Sequence, residues 1–192
     1  MGKSAAKRLQ ALVDQIPEDD VIWDALNIVE EAGPSFDYSI ALIGAAYVEK
    51  ALEIAILTSF VKLTPKEYNA LFKYENRGPL SDLSSRIKIA YALDIIGPQS
   101  RDDLDHVRQV RNAFAHSPQP LDFDTQEVVA ICDLFNTHPR LGILSRWALG
   151  NDARSRYVNT AITIARDLKK GLKGGILTYM HAGRAFPGRL LP

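Results

Sequence analysis

Glycine-proline pairs at 33–34, 78–79 and 97–98 cut this chain into stretches whose apolar residues recur at helical spacing. Such pairs stop helices, and no stretch between them shows the period-two alternation of a half-buried strand. The only fold class left is all-α. We expect a single-domain helical bundle of about seven or eight helices over residues 1–173, followed by a tail at 174–192. At 46% hydrophobic and 24% charged residues, the chain can build an ordinary core and is not disordered.

The expected helices follow from start and stop signals. Short helices are read over 4–15 and from Pro17 to Glu31. A long one runs from about Asp37 to Leu63, with Ile40, Ile43, Ala46, Tyr47, Leu52, Ile56 and Phe60 giving apolar coverage wide enough for the centre of a bundle. Thr64-Pro65-Lys66-Glu67 is a capping box with proline at the first helical position, opening a helix to about Lys73. Further helices are expected over 81–94, from Ser100 to His116 or Ser117, and from Asp124 or Thr125 to Asn136. Residues 139–150 are read as a loop or short helix. The last helix spans 152–173, with Tyr157, Ala161, Ile164, Ala165 and Leu168 on one side.

Cys132 is the sole cysteine, so no intrachain disulfide forms, and it follows Val128, Val129 and Ile131 as a small core residue. The N-terminus lacks a signal-peptide core, and the apolar stretch over 40–60 contains Glu49, Lys50 and Glu53, too much charge for a membrane span. We read the chain as cytoplasmic and away from membranes. Residues 145–192 hold 9 basic and 2 acidic residues, and residues 1–144 hold 14 basic and 21 acidic. The basic last helix either docks on the acidic body or offers a surface to nucleic acid or an acidic partner.

The unusual polar motif is Arg111-Asn112-Ala113-Phe114-Ala115-His116 at a helix end. On a regular helix Leu104, Val107, Val110 and Phe114 define the buried side. Asn112 and His116 lie about 40° apart, away from that side. Arg111 falls at the margin of the core, about 140° from His116. Arginine and histidine therefore converge only through the reach of the long arginine side chain, through unwinding at Ala115–Ser117, which the Ser117-Pro118 pair favours, or across a two-fold axis.

Arginine and histidine separated by four residues resemble the R-x4-6-H motif of the HEPN superfamily. Its members are helical bundles, usually dimeric, and many are metal-independent ribonucleases. The order Ile43–Leu52, Gly78–Leu93, Val107–Ser117 and a later helix with Cys132 resembles the mannitol-operon repressor (MltR-like) family over roughly residues 20–170. That resemblance implies a homodimeric regulatory or interaction protein acting on transcription, although no helix-turn-helix signature is present. The HEPN resemblance implies endoribonuclease chemistry. His116 would serve as general acid or base, Arg111 would hold the scissile phosphate, and Asn112 would orient either. The substrate's 2′-hydroxyl would attack, with no metal or other cofactor. Glu49, Arg86 and Arg108 are supporting residues; Glu49 is the expected partner of Arg111 or Arg86. The structural alternative makes His116 a helix C-cap and Arg111 an ion-pair residue, with protein or RNA as partner. A third reading, DNA binding, rests on the basic segment 154–173. His106 is expected on a solvated face; His138 and His181 are expected in loops, and Trp23 and Trp147 in core or interface positions.

Overall fold

The computed structural model describes residues 36–136 and 152–172. The expected helices before Phe36, the segment 139–150 and the tail from 174 lie outside these residues, as do Trp23, His138, Trp147 and His181. Among the described residues there are six α-helices and no strand: α1 Asp37–Thr58, α2 Pro65–Phe72, α3 Leu83–Ala92, α4 Pro98–His116, α5 Gln126–Cys132 and α6 Ala153–Leu172.

Helix α1 is the hub and packs on α3, α4 and α6. Its buried set includes Ile40, Ala41, Ala45, Val48, Ala51, Leu52, Ala55 and Ile56. Coverage is less complete than its composition suggests, since Ile43 and Ala46 face outward. Small residues at 41, 44 and 45 let α6 approach closely. A Cβ built on Gly44 would lie 3.0 Å from Cε1 of Tyr157. Tyr157 is fully buried, and its hydroxyl donates to the Ala41 carbonyl at 2.7 Å. Its ring meets Phe123 at 5.3 Å and Phe135 at 6.3 Å, and Phe114 extends the aromatic cluster through Phe123. Buried Asp37 joins three segments: it accepts from the Phe123 amide at 2.8 Å and pairs with Arg154 of α6.

Helix ends depart from the sequence reading for local reasons. Helix α1 stops at Thr58, short of Leu63, because the chain must turn to place Thr64 in the extended conformation that caps α2. The capping box is complete: Thr64 accepts from the Glu67 amide, and Glu67 accepts from the Thr64 amide at 2.7 Å. Helix α4 begins at Pro98 rather than Ser100, since proline suits a first helical position and its missing N–H leaves no bond unmade. Helix α3 is shorter than expected because Asp82 caps it and Asp94 turns left-handed after it. Helix α5 ends at Cys132, four residues before Asn136. There the buried Asp103 carboxylate of α4 accepts from the Asn136 amide at 2.7 Å and its side chain at 3.1 Å.

The loop between α2 and α3 doubles back on α2. Arg77 is left-handed, and a Cβ on Gly78 would come within 2.4 Å of the Leu71 carbonyl oxygen, so only glycine fits. The return sets the Leu80 amide on the Leu71 carbonyl at 2.8 Å and leaves the Leu80 carbonyl for Arg86.

Leu104, Val107, Val110 and Phe114 of α4 are all buried, as the helical arithmetic requires. Cys132 is also buried, and burial pushes its thiol up to about 12, which makes it inert. The basic helix α6 lies on the body. Arg154 pairs with Asp37 and Arg156 with Asp133, while Lys169 donates to the Tyr47 hydroxyl at 3.0 Å. No helix among the described residues is long and apolar enough to cross a membrane.

Candidate functional site

Arg108, Arg111 and Asn112 stand at i, i+3 and i+4 on α4, so one face of the helix carries two guanidinium groups and an amide. They line a pocket of about 230 Å³ with Glu49 of α1 and the start of α3, Ser81, Asp82, Leu83 and Ser84. His116 is exposed and does not line this pocket. Helix α4 stays regular to its end, where the Ser117 amide donates to the Ala113 carbonyl at 2.9 Å. Arg111 and Asn112 are thus brought together, with Arg111 Nη1 donating to Asn112 Oδ1 at 2.9 Å, and His116 is left apart within the chain.

The carboxylate expected to serve Arg111 or Arg86 is held by Arg86. Its guanidinium contacts Glu49 at 3.2 Å and Glu53 at 3.1 Å, its Nε donates to the Leu80 carbonyl at 2.7 Å, and it lies over the Phe72 ring. Glu53 also takes Lys50 and the Tyr68 hydroxyl, each at 2.9 Å. Burial raises the Glu49 carboxyl above its ordinary range, outweighing the pull of Arg86 and then of Arg111. Arg111 has no carboxylate within ion-pairing distance among the described residues. Arg108 gives its Nε to Asp105 at 3.1 Å.

The contribution of α3 to the pocket is not among the residues singled out from the sequence. Its signal is the run Ser81-Asp82-Leu83-Ser84-Ser85, which marks a helix start; nothing in it tells which helix that start will face. Asp82 caps α3 by accepting from the Ser85 amide at 3.0 Å and the Ser85 hydroxyl at 2.8 Å. Burial pushes the Asp82 carboxyl up, but these bonds and one from the Ser84 amide outweigh it and hold the carboxyl below the usual range. A depressed folded value contributes stability above the ordinary aspartate range that is lost as pH falls through the folded value. Asp82→Ala should therefore cost about 1 kcal/mol at neutral pH. The difference from wild type, read from urea midpoints, should shrink on acidification; a constant difference would contradict this assignment.

His106 departs from its expected solvated face. It is half-buried because Phe135, just past α5, covers its ring edge-on at 6.0 Å. Its Nδ1 is buried without a hydrogen-bond partner. No grouping of three or more His, Cys, Asp or Glu able to hold a metal occurs among the described residues.

A family model described as MtlR, mannitol repressor, matches residues 67–160, just under half of the chain. The match begins inside α2, contains α3, α4 and α5, and ends in α6, so it covers every pocket residue except Glu49. No curated protein and no solved structure matches the chain.

Proposed function

We propose that this chain is a helical regulatory protein of the mannitol-repressor kind, acting on transcription as a homodimer through partners rather than through a DNA-reading helix. The observation that carries the proposal is the family match over 67–160, which takes in the α3 and α4 sides of the pocket. Two features support it. His116 does not line the pocket that Arg111 and Asn112 share, and α4 stays regular to its end, which favours the regulatory reading over ribonuclease chemistry within one chain. Arg154, Arg156 and Lys169 of α6 are engaged with the chain's own Asp37, Asp133 and Tyr47, which weakens the case for α6 as a DNA-binding surface.

The rival reading, a metal-independent endoribonuclease, keeps one specific support: Arg111 makes no ion pair among the described residues and is backed by Asn112, as a phosphate clamp would be. It needs the His116 of a second copy at the pocket. Two measurements separate the readings. Transcripts are compared in source cells with and without the gene; a discrete set should change and return on complementation. Purified chain is incubated with structured and unstructured RNA in EDTA and should leave it intact. An unchanged transcript profile overturns the regulatory reading. So does cleavage to 2′,3′-cyclic phosphate ends that is lost in His116→Ala.

A further inference from the structure

The pocket has a chemistry narrower than polarity alone. Two guanidinium groups face it from α4, three positions apart, and both retain unused donors. Arg111 gives one nitrogen to Asn112, and Arg108 gives its Nε to Asp105. Two arginine forks on one helix face suit a phosphomonoester, whose three terminal oxygens can accept from both. The Ser84 and Ser85 amides at the start of α3 are not the anion holders, because both already serve the Asp82 carboxylate.

The rest of the lining has the opposite character. Glu49 and Asp82 bring carboxylate acceptors, and Ser81 and Ser84 bring hydroxyls. Two carboxylates offset the two guanidinium groups, which leaves the arginines able to hold one phosphate but disfavours a polyanionic strand, and the carboxylates accept hydrogen bonds from neutral hydroxyl groups. Size limits the ligand as well. At about 230 Å³ the pocket is smaller than the roughly 300–1,000 Å³ of drug-sized sites. That space suits a phosphorylated sugar or polyol and crowds a nucleotide.

We infer that this pocket binds a small phosphorylated polyhydroxy compound. Its phosphate lies on Arg108 and Arg111, and its hydroxyls lie against Glu49 and Asp82. The inference deepens the regulatory reading by giving the protein an effector, and it rests on that reading only for the consequence of binding.

Calorimetry on the full chain at constant ionic strength tests it, with glucose 6-phosphate, inorganic phosphate, glucose, gluconate and adenosine monophosphate as probes. Glucose 6-phosphate should bind at least about tenfold tighter than each of the others. Arg108→Gln and Arg111→Gln should each weaken it about tenfold or more. Ser84→Leu, which crowds the pocket from the other helix, should weaken it as much and guards against an arginine variant that fails to fold. Absence of heat with glucose 6-phosphate up to about 10 mM overturns the inference. Unchanged affinity in the variants does so too. Parity with inorganic phosphate removes the hydroxyl contacts, parity with gluconate removes the phosphate clamp, and preference for the nucleotide removes the size argument; each overturns it. Binding is read as heat and regulation as transcript levels, so the two proposals fail separately.

Discussion

Arg86→Ala should destabilise the chain by about 3–5 kcal/mol, with a urea midpoint far below that of the wild type. The Arg86 side chain is only 7% exposed and meets Glu53, whose side chain is equally buried, at 3.1 Å, as well as Glu49 at 3.2 Å. Truncation leaves two carboxylates near the core with less compensation, removes the bond to the Leu80 carbonyl that ties down the α2–α3 loop, and uncovers the Phe72 ring. Arg86→Met restores the stem but not the charge and should recover only part of the loss. Adding Glu49→Gln and Glu53→Gln to Arg86→Met should recover more, since a neutral set avoids the desolvation cost of unpaired charge. The pH dependence has a definite sign. Burial already raises the Glu49 carboxyl, and without Arg86 it loses the largest opposing pull, so its share of the penalty is full at neutral pH and eases as pH falls. A loss under about 1 kcal/mol, or a deficit that does not change in acid, would mean that this cluster is not the electrostatic tie between α1 and α3.

The Arg86 cluster also marks how far the sequence reads. Glu49 on a central helix suggests an ion pair with an arginine from another helix, but charge logic leaves Arg86 and Arg111 equally eligible. The choice depends on the loop at Gly78, whose return path aims α3 at α1, and that path passes so close to the Leu71 carbonyl oxygen that a Cβ at position 78 would lie 2.4 Å from it, a closeness no pattern of residue types reveals. Local chemistry reads well: the Thr64–Glu67 box and the apolar face of α4 follow from a few neighbouring residues. Tertiary choices read poorly. Pro98 looks like a terminator and is a first-turn residue, and His106 looks solvated until Phe135 arrives from beyond α5. The site divides the same way. Arg111 and Asn112 are prominent in the sequence, and i, i+4 spacing suggests Asn112 with His116. In the fold the useful grouping runs backward along α4, to Arg108, because the start of α3 closes a pocket on that side.

The second large effect belongs to the contact between α1 and α6. Tyr157→Ala should cost about 3–5 kcal/mol, the range for emptying a large aromatic side chain from a core. Tyr157 is 0% exposed, stacks into the cluster of Phe123 and Phe135, and donates to the Ala41 carbonyl. Tyr157→Phe keeps the volume and loses one hydrogen bond, so it should cost about 1 kcal/mol. The ring also explains the glycine opposite it. Gly44→Ala places a methyl 3.0 Å from Cε1 of Tyr157, tighter than ordinary van der Waals contact, and both tyrosine and phenylalanine present that atom. Alone, or with Tyr157→Phe, Gly44→Ala should cost about 1–3 kcal/mol by overpacking. With Tyr157→Ala the same methyl enters the space the ring has left, gains the helix propensity of alanine, and should become neutral or stabilising. The double-mutant cycle between Gly44→Ala and Tyr157→Ala should therefore show a favourable coupling of at least about 1 kcal/mol, while that with Tyr157→Phe stays near zero. Additive effects in the first cycle would show that α1 and α6 do not meet through this ring. The close approach of the two helices would then need another cause.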